Sequence, residues 1–299
     1  MTSLHTDPSG STSRRAGRSR ARGRRTTDGP GFLVYGLLAA FVVGGALPLY
    51  WSFVIGSHTK GAAAAFPPPI LPGGHFFENA RRVLDTIEFW QALLNSLIVS
   101  TVCAVSVVFF STLAGYAFAK LKFRGRDTGM AFVVMTMAVP TQLAIVPLFI
   151  VMRDLGLLDS LAAVALPTMV TAFGVFFMRQ FLADAVPDEL IEAARMDGCT
   201  MIGIFWTVAI PAARPAMSIL FLFTFMQVWT DYMWPLVALQ QTETLQLALD
   251  RLALTGQGQT TDYALVLAGT GMATIPLLFL FVLAGKQLVA GIMQGAVKG

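Results

Sequence analysis

The sequence predicts an all-α integral membrane protein with six transmembrane helices and both termini in the cytoplasm. Two observations lead to this fold class. The chain of 299 residues has a mean hydropathy of +0.66, and only 13% of its residues are charged. Soluble domains carry about 25% charged residues, so this excess of apolar residues does not fit one compact core. The apolar residues also gather in long windows almost without charge, and a bilayer is the expected place for them.

Six windows are long and apolar enough to cross a bilayer. A helix needs about 20 residues to span about 30 Å of hydrocarbon, and backbone polar groups in lipid must find partners within the segment. The predicted spans cover residues 32–55, 93–118, 128–152, 160–180, 215–238 and 263–285, in one domain over 31–299. Prolines inside these spans are expected to kink them. They are Pro48, Pro140, Pro147, Pro167, Pro235 and Pro276.

The distribution of Lys and Arg gives the orientation. With the amino terminus inside, 16 of the 21 basic residues lie on the cytoplasmic side and five lie outside. Basic residues concentrate in cytoplasmic loops of membrane proteins. The pattern therefore predicts cytoplasmic termini and an inner-membrane location.

Residues 1–30 form a basic tail, with seven arginines between positions 14 and 25. Such a run could be a nucleic-acid-binding arm, a twin-arginine export signal, or a disordered tail on the cytoplasmic side of the first span. Its position beside an apolar stretch favours the tail. That stretch is too long for a signal sequence and is followed by no small-residue cleavage site. Nucleic acid is not an expected partner.

Two segments on the predicted outer side are long. Residues 56–90 contain a run of three prolines, and residues 239–261 are rich in Gln, Thr and Gly. Each is either a passive linker or a docking surface for a soluble external protein. Composition alone leaves both interpretations open.

The inner segment 184–213 carries the signals of a short helix. Pro187 suits the first turn, and Gly198 suits the carboxyl-terminal stop. The sequence predicts a helix of about ten residues, near 15 Å long. Five acids against one arginine over 184–197 disfavour an anionic membrane surface and favour a protein partner. One side of the helix is expected to carry Leu190, Ala193, Ala194 and Asp197.

A motif in this loop resembles the signature of the membrane subunits of binding-protein-dependent ABC importers. The signature is Glu-Ala-Ala, three residues, Gly, nine residues, then Ile-x-Leu-Pro. The chain has Glu192-Ala193-Ala194, Gly198 and Val208-Ala209-Ile210-Pro211 at that spacing, with two aliphatic replacements. The resemblance implies a MetI-like permease fold whose inner loop contacts an ATPase. The coupling residues it implies are Pro187, Glu189, Leu190, Glu192, Ala193, Ala194, Asp197, Gly198 and Pro211.

Other motifs resemble the carbohydrate branch of that family, the maltose-type (MalG-like) permeases, over nearly everything after residue 30. Trp229-Thr230-Asp231-Tyr232 is similar to the branch's Trp-Asn-Asp/Glu-aromatic motif, with Thr230 in place of Asn. The remaining similar stretches are Asn95-Ser96, Gly115-Tyr116-Ala117-Phe118, Phe123-Arg124-Gly125 and the ending Gly291 to Gly299.

The resemblance implies a transport subunit and not an enzyme. The sequence has no Gly-x-x-x-x-Gly-Lys-Ser/Thr P-loop, so we expect no cofactor on this chain and energy from a partner. The implied partners are a cytoplasmic ABC ATPase dimer that uses ATP and Mg²⁺, a second homologous permease in a heterodimer, and an extracytoplasmic sugar-binding protein. The two permeases would form the translocation path for a sugar or oligosaccharide.

Asp231 is the only acid in the predicted spans. A charge at mid-membrane costs about 2.5–3.5 kcal/mol, so Asp231, with Trp229 and Tyr232, is a candidate for the substrate path. An interfacial aromatic belt is the alternative, favoured by a position near the outer interface. A secondary transporter would need more coupling groups than Asp231 in its spans. A membrane metalloenzyme would need a motif such as His-Glu-x-x-His, which is absent, and nothing specific supports a receptor.

Overall fold

A computed structural model describes residues 32–254 and 261–296, with side chains as far as 283. The predicted basic tail, residues 1–30, lies outside the described residues. The chain divides into two compact units, the first ending at Leu47 and the second beginning at Pro48. In the first unit, residues 32–47 are helical and their side chains are exposed.

The described secondary structure is entirely helical. The α-helices are α1 (Phe32–Gly56), α2 (Phe76–Thr86), α3 (Phe89–Lys120), α4 (Arg126–Met137), α5 (Ile145–Asp154), α6 (Leu161–Ala165), α7 (Ala172–Ala185), α8 (Asp188–Met196), α9 (Met201–Ile204), α10 (Ile210–Trp229), α11 (Met233–Ala238), α12 (Leu245–Leu254) and α13 (Tyr263–Ala296). Short 3₁₀ turns cover Ala62–Ala64, Thr141–Ala144 and Leu166–Thr168, and a π turn covers Phe205–Ala209.

Four helical stretches among the described residues are long and apolar enough to cross a membrane: Phe32–Gly56, Phe89–Lys120, Met201–Trp229 and Tyr263–Leu283. Two further stretches qualify only as pairs of helices joined at a bend. The number of candidate spans is therefore four, or six if each bent pair is one span.

The third predicted span, residues 128–152, is not one helix. It divides into α4 and α5, whose axes differ by 92°. Pro140 lies at the break, where a proline has no N–H to donate and disfavours a helical residue before it. With 12 and 10 residues, the two helices are about 18 Å and 15 Å long, so neither crosses about 30 Å of hydrocarbon alone.

The fourth predicted span, residues 160–180, is also broken. The stretch Leu161–Thr168 and the helix Ala172–Ala185 meet at 41°. Pro167 lies in the 3₁₀ turn at the end of the first part. The Thr171 hydroxyl then accepts a hydrogen bond from Gly174 N at 3.1 Å and caps α7.

The fifth predicted span, residues 215–238, has different ends. The helical stretch begins at Met201 and stops at Trp229, and α11 is a separate short helix after it. Arg214 closes the charge-free window in the sequence, but a charged side chain at a helix surface does not interrupt the backbone. The stop near Thr230 leaves Asp231 between two helices and not inside one.

Helix α3 is the centre of the second unit and packs against α7 and α10. At Gly115 the approach to α7 is so close that an added Cβ would lie 2.8 Å from Arg179 N. Near its amino end, Ser96 Oγ accepts a hydrogen bond from Leu245 N at 2.7 Å. Its carboxyl end, at Lys120, contacts the segment around α8. Ser96 and Lys120 are 24 residues apart in α3, so the helix separates these two contacts by about 36 Å.

Candidate functional site

Helix α8 begins directly after Pro187. Pro187 has φ −60° and ψ 144° and stands immediately before the first helical residue, so it is the amino-terminal cap and not the first-turn residue that the sequence suggested. Asp188 and Glu189 occupy the first turn, where the unpaired N–H groups favour negative charge. The nine-residue helix agrees with the predicted length.

Gly198 ends α8 with a left-handed residue, as its position in the sequence suggested. Its φ is +83°. Its N–H donates to Arg195 O at 2.9 Å, and the Cys199 N–H donates to Ala194 O at 3.0 Å. These two bonds form a Schellman motif, which satisfies carbonyls that the end of a helix leaves free. No atom lies within 4 Å of the place where a Cβ would stand, so only backbone conformation restricts this position within the chain.

One narrow side of α8 attaches it to the protein. Ile191 is 4% exposed and joins a core cluster with Met178, Leu182 and Ile204, and Ala194 packs against the same cluster. The four residues predicted on one side are thus divided, because Ala194 faces inward and the other three do not. Their spacing gave the helical period correctly but did not say which neighbour would cover each position.

The rest of α8 faces outward. Leu190 is 48% exposed and Met196 is 89% exposed. Asp188 and Arg195 are exposed as well, and we call the remaining exposed residues the α8 face: Glu189, Leu190, Glu192, Ala193, Met196, Asp197 and Gly198. It combines apolar area and three carboxylates with small residues that allow close approach.

Lys120, at the carboxyl end of α3, fixes the start of α8. Its Nζ donates to Asp188 Oδ1 at 2.8 Å and to Ala183 O at 3.2 Å. The Lys120 side chain is 5% exposed, whereas that of Asp188 is largely exposed. The hydrogen bond and charge of Lys120 lower the pKa of the Asp188 carboxyl below its ordinary value. The ends of α3, α7 and α8 therefore meet at one ammonium group.

The far end of α8 contacts the helix that follows, since an Arg195 guanidinium nitrogen lies 3.5 Å from Met201 Sδ. Thr200 caps α9, accepting from Gly203 N at 3.1 Å. The ring of the buried Tyr116 in α3 lies against that of Phe205, with centroids 5.4 Å apart and the planes tilted by 49°. The π turn ends just before Pro211, a predicted coupling residue, which lies in the exposed first turn of α10. Pro211 has no N–H to continue the regular ladder, and such irregular turns recur where that ladder is interrupted.

Sequence reasoning missed three residues that position α8 or the helix after it. Lys120 was counted only as a positive charge, Ile191 was passed over inside the acidic helix, and Tyr116 was seen only as part of a similar stretch. The available signal for Ile191 was that it and Leu190 are the two aliphatic residues between Glu189 and Glu192. No local signal marks Lys120, because its partners are more than 60 positions away.

The candidate substrate-path residues do not share one surface. Trp229 is 2% exposed and stacks on Phe225 with ring centroids 5.5 Å apart, so its ring belongs to the core. The Tyr232 hydroxyl donates to Asp250 Oδ2 at 3.0 Å. Asp231 lines a different cleft from the one that Trp229 and Tyr232 line. The structure thus brings Tyr232 and Trp229 to one side of this segment and Asp231 to the other.

The predicted outer segment 239–261 is described as far as residue 254, and residues 255–260 lie outside the described part. Its start is held by Asp159, whose φ is +59°. The Asp159 carboxylate accepts from the N–H groups of Gln240, Gln241 and Thr242 at 2.8–2.9 Å. These donors, Thr242 first, lower the pKa of Asp159. The first residues of the segment are thus held by hydrogen bonds to Asp159.

Comparison with known families gives one match over most of the chain. The family described as "Binding-protein-dependent transport system inner membrane component" matches residues 83–293. The chain is similar to the arabinooligosaccharides transport system permease protein AraQ of Halalkalibacterium halodurans, 36% identical over 213 residues, which are 71% of this chain and 75% of that protein. It is also similar to the sn-glycerol-3-phosphate transport system permease protein UgpE of Escherichia coli strain K12, 30% identical over 255 residues, 83% of this chain and 90% of that protein.

Two solved structures resemble the chain. One is the crystal structure of a bacterial ABC transporter involved in the import of the acidic polysaccharide alginate. The likeness has a TM-score of 0.71 and 26% identity, and covers 85% of this chain and 94% of that chain. The other is a bacterial alginate ABC transporter in complex with an alginate pentasaccharide-bound periplasmic protein. Its TM-score is 0.59 over 84% of this chain and 92% of that chain, and at 16% identity it shows the fold alone.

Proposed function

This chain belongs to the family of binding-protein-dependent transport system inner membrane components, and on that premise we propose that it is the transmembrane subunit of an ABC importer for a sugar or oligosaccharide. It is a multi-pass inner-membrane permease with the all-helical MetI-like fold. The carbohydrate substrate is supported by relatives named for arabinooligosaccharides and alginate.

The proposed topology has six spans with both termini in the cytoplasm. Each bent pair, α4 with α5 and α6 with α7, then counts as one broken span. Contacts at the two ends of α3 support this arrangement, since Lys120 and the α8 region lie at one end and the segment after α11 lies at the other. The positive charge around Lys120 agrees with a cytoplasmic position.

The observation that carries the proposal is the rigidly held but uncovered α8 face. Buried Ile191 and the Lys120 ammonium attach α8 to the bundle, and a Schellman motif ends the helix, while its acidic and apolar side is exposed. A surface that is positioned so firmly and yet left open suits transmission of force from a partner. We propose that the partner is a cytoplasmic ATPase, with Pro211 close to the same contact.

ATP hydrolysis is proposed to take place, with Mg²⁺, in an ATPase dimer outside this chain. Closure of that dimer would move α8 as a rigid body, and α3, α7 and α10 would move with it because they share its core cluster. The bundle, paired with a second homologous permease, would thereby alternate between inward-facing and outward-facing states. An external binding protein would deliver the sugar to the outer side near residues 239–254.

Purification of the complex in mild detergent tests this proposal. The chain should copurify with a nucleotide-hydrolysing subunit, and hydrolysis should rise when sugar-loaded binding protein is added. In cells, uptake should stop when ATP is depleted even while the proton gradient is maintained. Uptake that follows the ion gradient and ignores ATP would instead identify a secondary transporter.

A further inference from the structure

Three helix breaks meet at one cleft of about 410 Å³. Thr141 and Gln142 come from the bend between α4 and α5, Pro167 and Thr168 from the bend between α6 and α7, and Asp231 from the interruption between α10 and α11. We call this space the mid-span cleft. The breaks are far apart in sequence, so their meeting is a property of the fold.

One edge of the mid-span cleft lies at the middle height of the bundle. The Thr168 hydroxyl at its edge is 3.0 Å from Cys103 Sγ, and Cys103 is close to the midpoint of α3, which runs from Phe89 to Lys120. Irregular backbone at membrane depth is tolerated only where it is buried in protein or lines a water-filled cavity. The break at Thr168 lies at that depth, and its opening onto a cleft shared with the other two breaks favours the cavity.

The two glutamine side chains of this cleft are unpaired, whereas the Asp231 carboxylate accepts from the N–H groups of Tyr232, Met233 and Trp234 and the Thr168 hydroxyl donates to Ala165 O at 2.9 Å. Gln142 and Gln227 are exposed, and Asp231 is half-buried. Within the described residues, neither glutamine amide has a hydrogen-bond partner. Exposed amides facing hydrocarbon would be costly, so they are expected to face water, a ligand or a partner.

A second cleft, on the other side of the same segment, differs in this respect. Gln246, Asp250 and Tyr232 line it. There the Tyr232 hydroxyl already donates to Asp250, and Gln246 Nε2 already donates to Trp229 O at 3.2 Å. Its polar groups are used within the protein, so the mid-span cleft is the better ligand site.

Resting on the proposed function, we infer that the mid-span cleft is a carbohydrate-contact site of this subunit and that it takes an uncharged sugar. The amides of Gln142 and Gln227 can each donate to and accept from sugar hydroxyls, and the Asp231 carboxylate accepts from two neighbouring hydroxyls. Among its described lining residues there is no Lys or Arg. A uronate or phosphate would therefore meet a carboxylate without a compensating cation.

Cysteine labelling tests whether the cleft holds water. In a Cys103→Ala and Cys199→Ser background, Gln142→Cys and Gln227→Cys are treated in the intact complex with a charged, membrane-impermeant thiosulfonate. Both are expected to react, because the reactive thiolate forms only in water. Gln246→Cys, in the second cleft near the proposed outer side, is the control for access of the reagent and should react whether or not the mid-span cleft holds water. Labelling at Gln246→Cys alone would overturn the assignment.

Protection from labelling tests the ligand class. Arabinotriose, a neutral probe, is expected to slow labelling of Gln142→Cys, whereas a trimer of alginate uronates is not. Adding Asp231→Asn should let the uronate trimer protect as well. Absence of protection by arabinotriose, or better protection by the uronate with Asp231 intact, would refute the inference.

A transport assay distinguishes failure of this inference from failure of the proposed function. Gln142→Leu and Gln227→Leu should each raise the KM of arabinotriose uptake by roughly three- to tenfold, the effect of one lost hydrogen bond. ATP hydrolysis stimulated by the binding protein should persist, and Gln246→Leu should leave KM unchanged. An unaltered KM in both variants of a complex that still imports sugar would refute the cleft but not the importer.

Discussion

The Lys120 ammonium and the Asp188 carboxylate form an ion pair, with Nζ 2.8 Å from Oδ1, where α3 and α7 end and α8 begins. The two partners are unequally exposed, since Lys120 is almost buried and Asp188 is largely exposed. Lys120 also donates to Ala183 O. The ammonium is therefore the more important member of the pair.

We expect Lys120→Met to lower the melting temperature of the purified complex and to reduce uptake, whereas Asp188→Asn should change both only slightly. The first variant leaves a carbonyl without its donor, at a cost of about 1–3 kcal/mol, while the second keeps an oxygen acceptor. Thermal unfolding followed by tryptophan fluorescence measures the difference. Equal effects of the two substitutions would contradict the ranking.

The same pair predicts a flat pH response near neutrality. The pKa of Asp188 is lowered in the folded protein from an ordinary value of 3.8. Its contribution is therefore complete above the ordinary pKa and is lost only as the pH falls through the lowered value. Between about pH 5 and pH 8, the ratio of Asp188→Asn uptake to wild-type uptake should stay constant, and a ratio that changes over this range would argue against the assignment.

Ile191→Ala and Leu190→Ala should have opposite consequences. Ile191 is buried, so its truncation should destabilise the protein by about 2 kcal/mol or more and lower the amount of chain in the membrane. Leu190 is half exposed, and its truncation should leave stability intact but weaken retention of the ATPase. Membrane abundance and copurified ATPase are measured for both variants. Loss of ATPase without loss of abundance in Ile191→Ala would reverse the roles assigned here.

Gly198 offers a graded series. Gly198→Asn should be tolerated best, because Asn adopts the left-handed region more readily than most residues and the surrounding space is open. Gly198→Ala should cost about 1 kcal/mol or more. Gly198→Asp and Glu192→Lys should insert normally yet uncouple uptake from ATP hydrolysis, because each changes the charge of the α8 face. Normal sugar uptake by these two charged variants would remove α8 from the coupling role.

Native Cys199 reports the orientation of the chain. It is exposed beside the α8 face, whereas Cys103 is buried. A membrane-impermeant maleimide should label Cys199 in inside-out vesicles and not in right-side-out vesicles or whole cells. Bound ATPase should slow the reaction. Labelling from the outer side of the membrane would reverse the proposed topology and with it the assignment of α8.

Much of the fold followed from residue patterns because lipid imposes long apolar helices. The spans around α1, α3 and α13 and the helix from Asp188 to Met196 were placed by charge, proline and glycine alone. The bend at Pro140 was expected as a kink, but its 92° depends on what α5 packs against. Periodicity in one segment does not contain that information.

The site was predictable to the same extent. Proline, glycine and charge in adjacent residues predicted a short helix ending at Gly198, but their spacing did not predict that Ala194 would face inward. The inward attachment through Lys120 and Tyr116 depends on residues brought together from α3 by folding. The substrate-path prediction grouped Trp229, Asp231 and Tyr232 as neighbours in sequence, and the helix interruption there turns them in different directions.

Asp159→Ala and Asp159→Asn form the last matched pair. Alanine removes the acceptor of three N–H groups and also disfavours the positive φ, whereas asparagine keeps an oxygen and tolerates that conformation. Protease cleavage within residues 239–243 of the purified complex should become severalfold faster in Asp159→Ala and change little in Asp159→Asn. Equal cleavage in both variants would mean that the carboxylate charge, and not its geometry, secures this segment.

The Asp159 anchorage has a mechanical consequence. Asp159 accepts hydrogen bonds from three successive N–H groups after α11, and it thereby joins the turn between α5 and α6 to the start of the segment 239–254. In the proposed topology, these two parts lie on the outer side and are expected to move together when the bundle changes state. An opening that admits substrate from the outer side is then expected to form elsewhere, such as at the interface with the proposed partner permease.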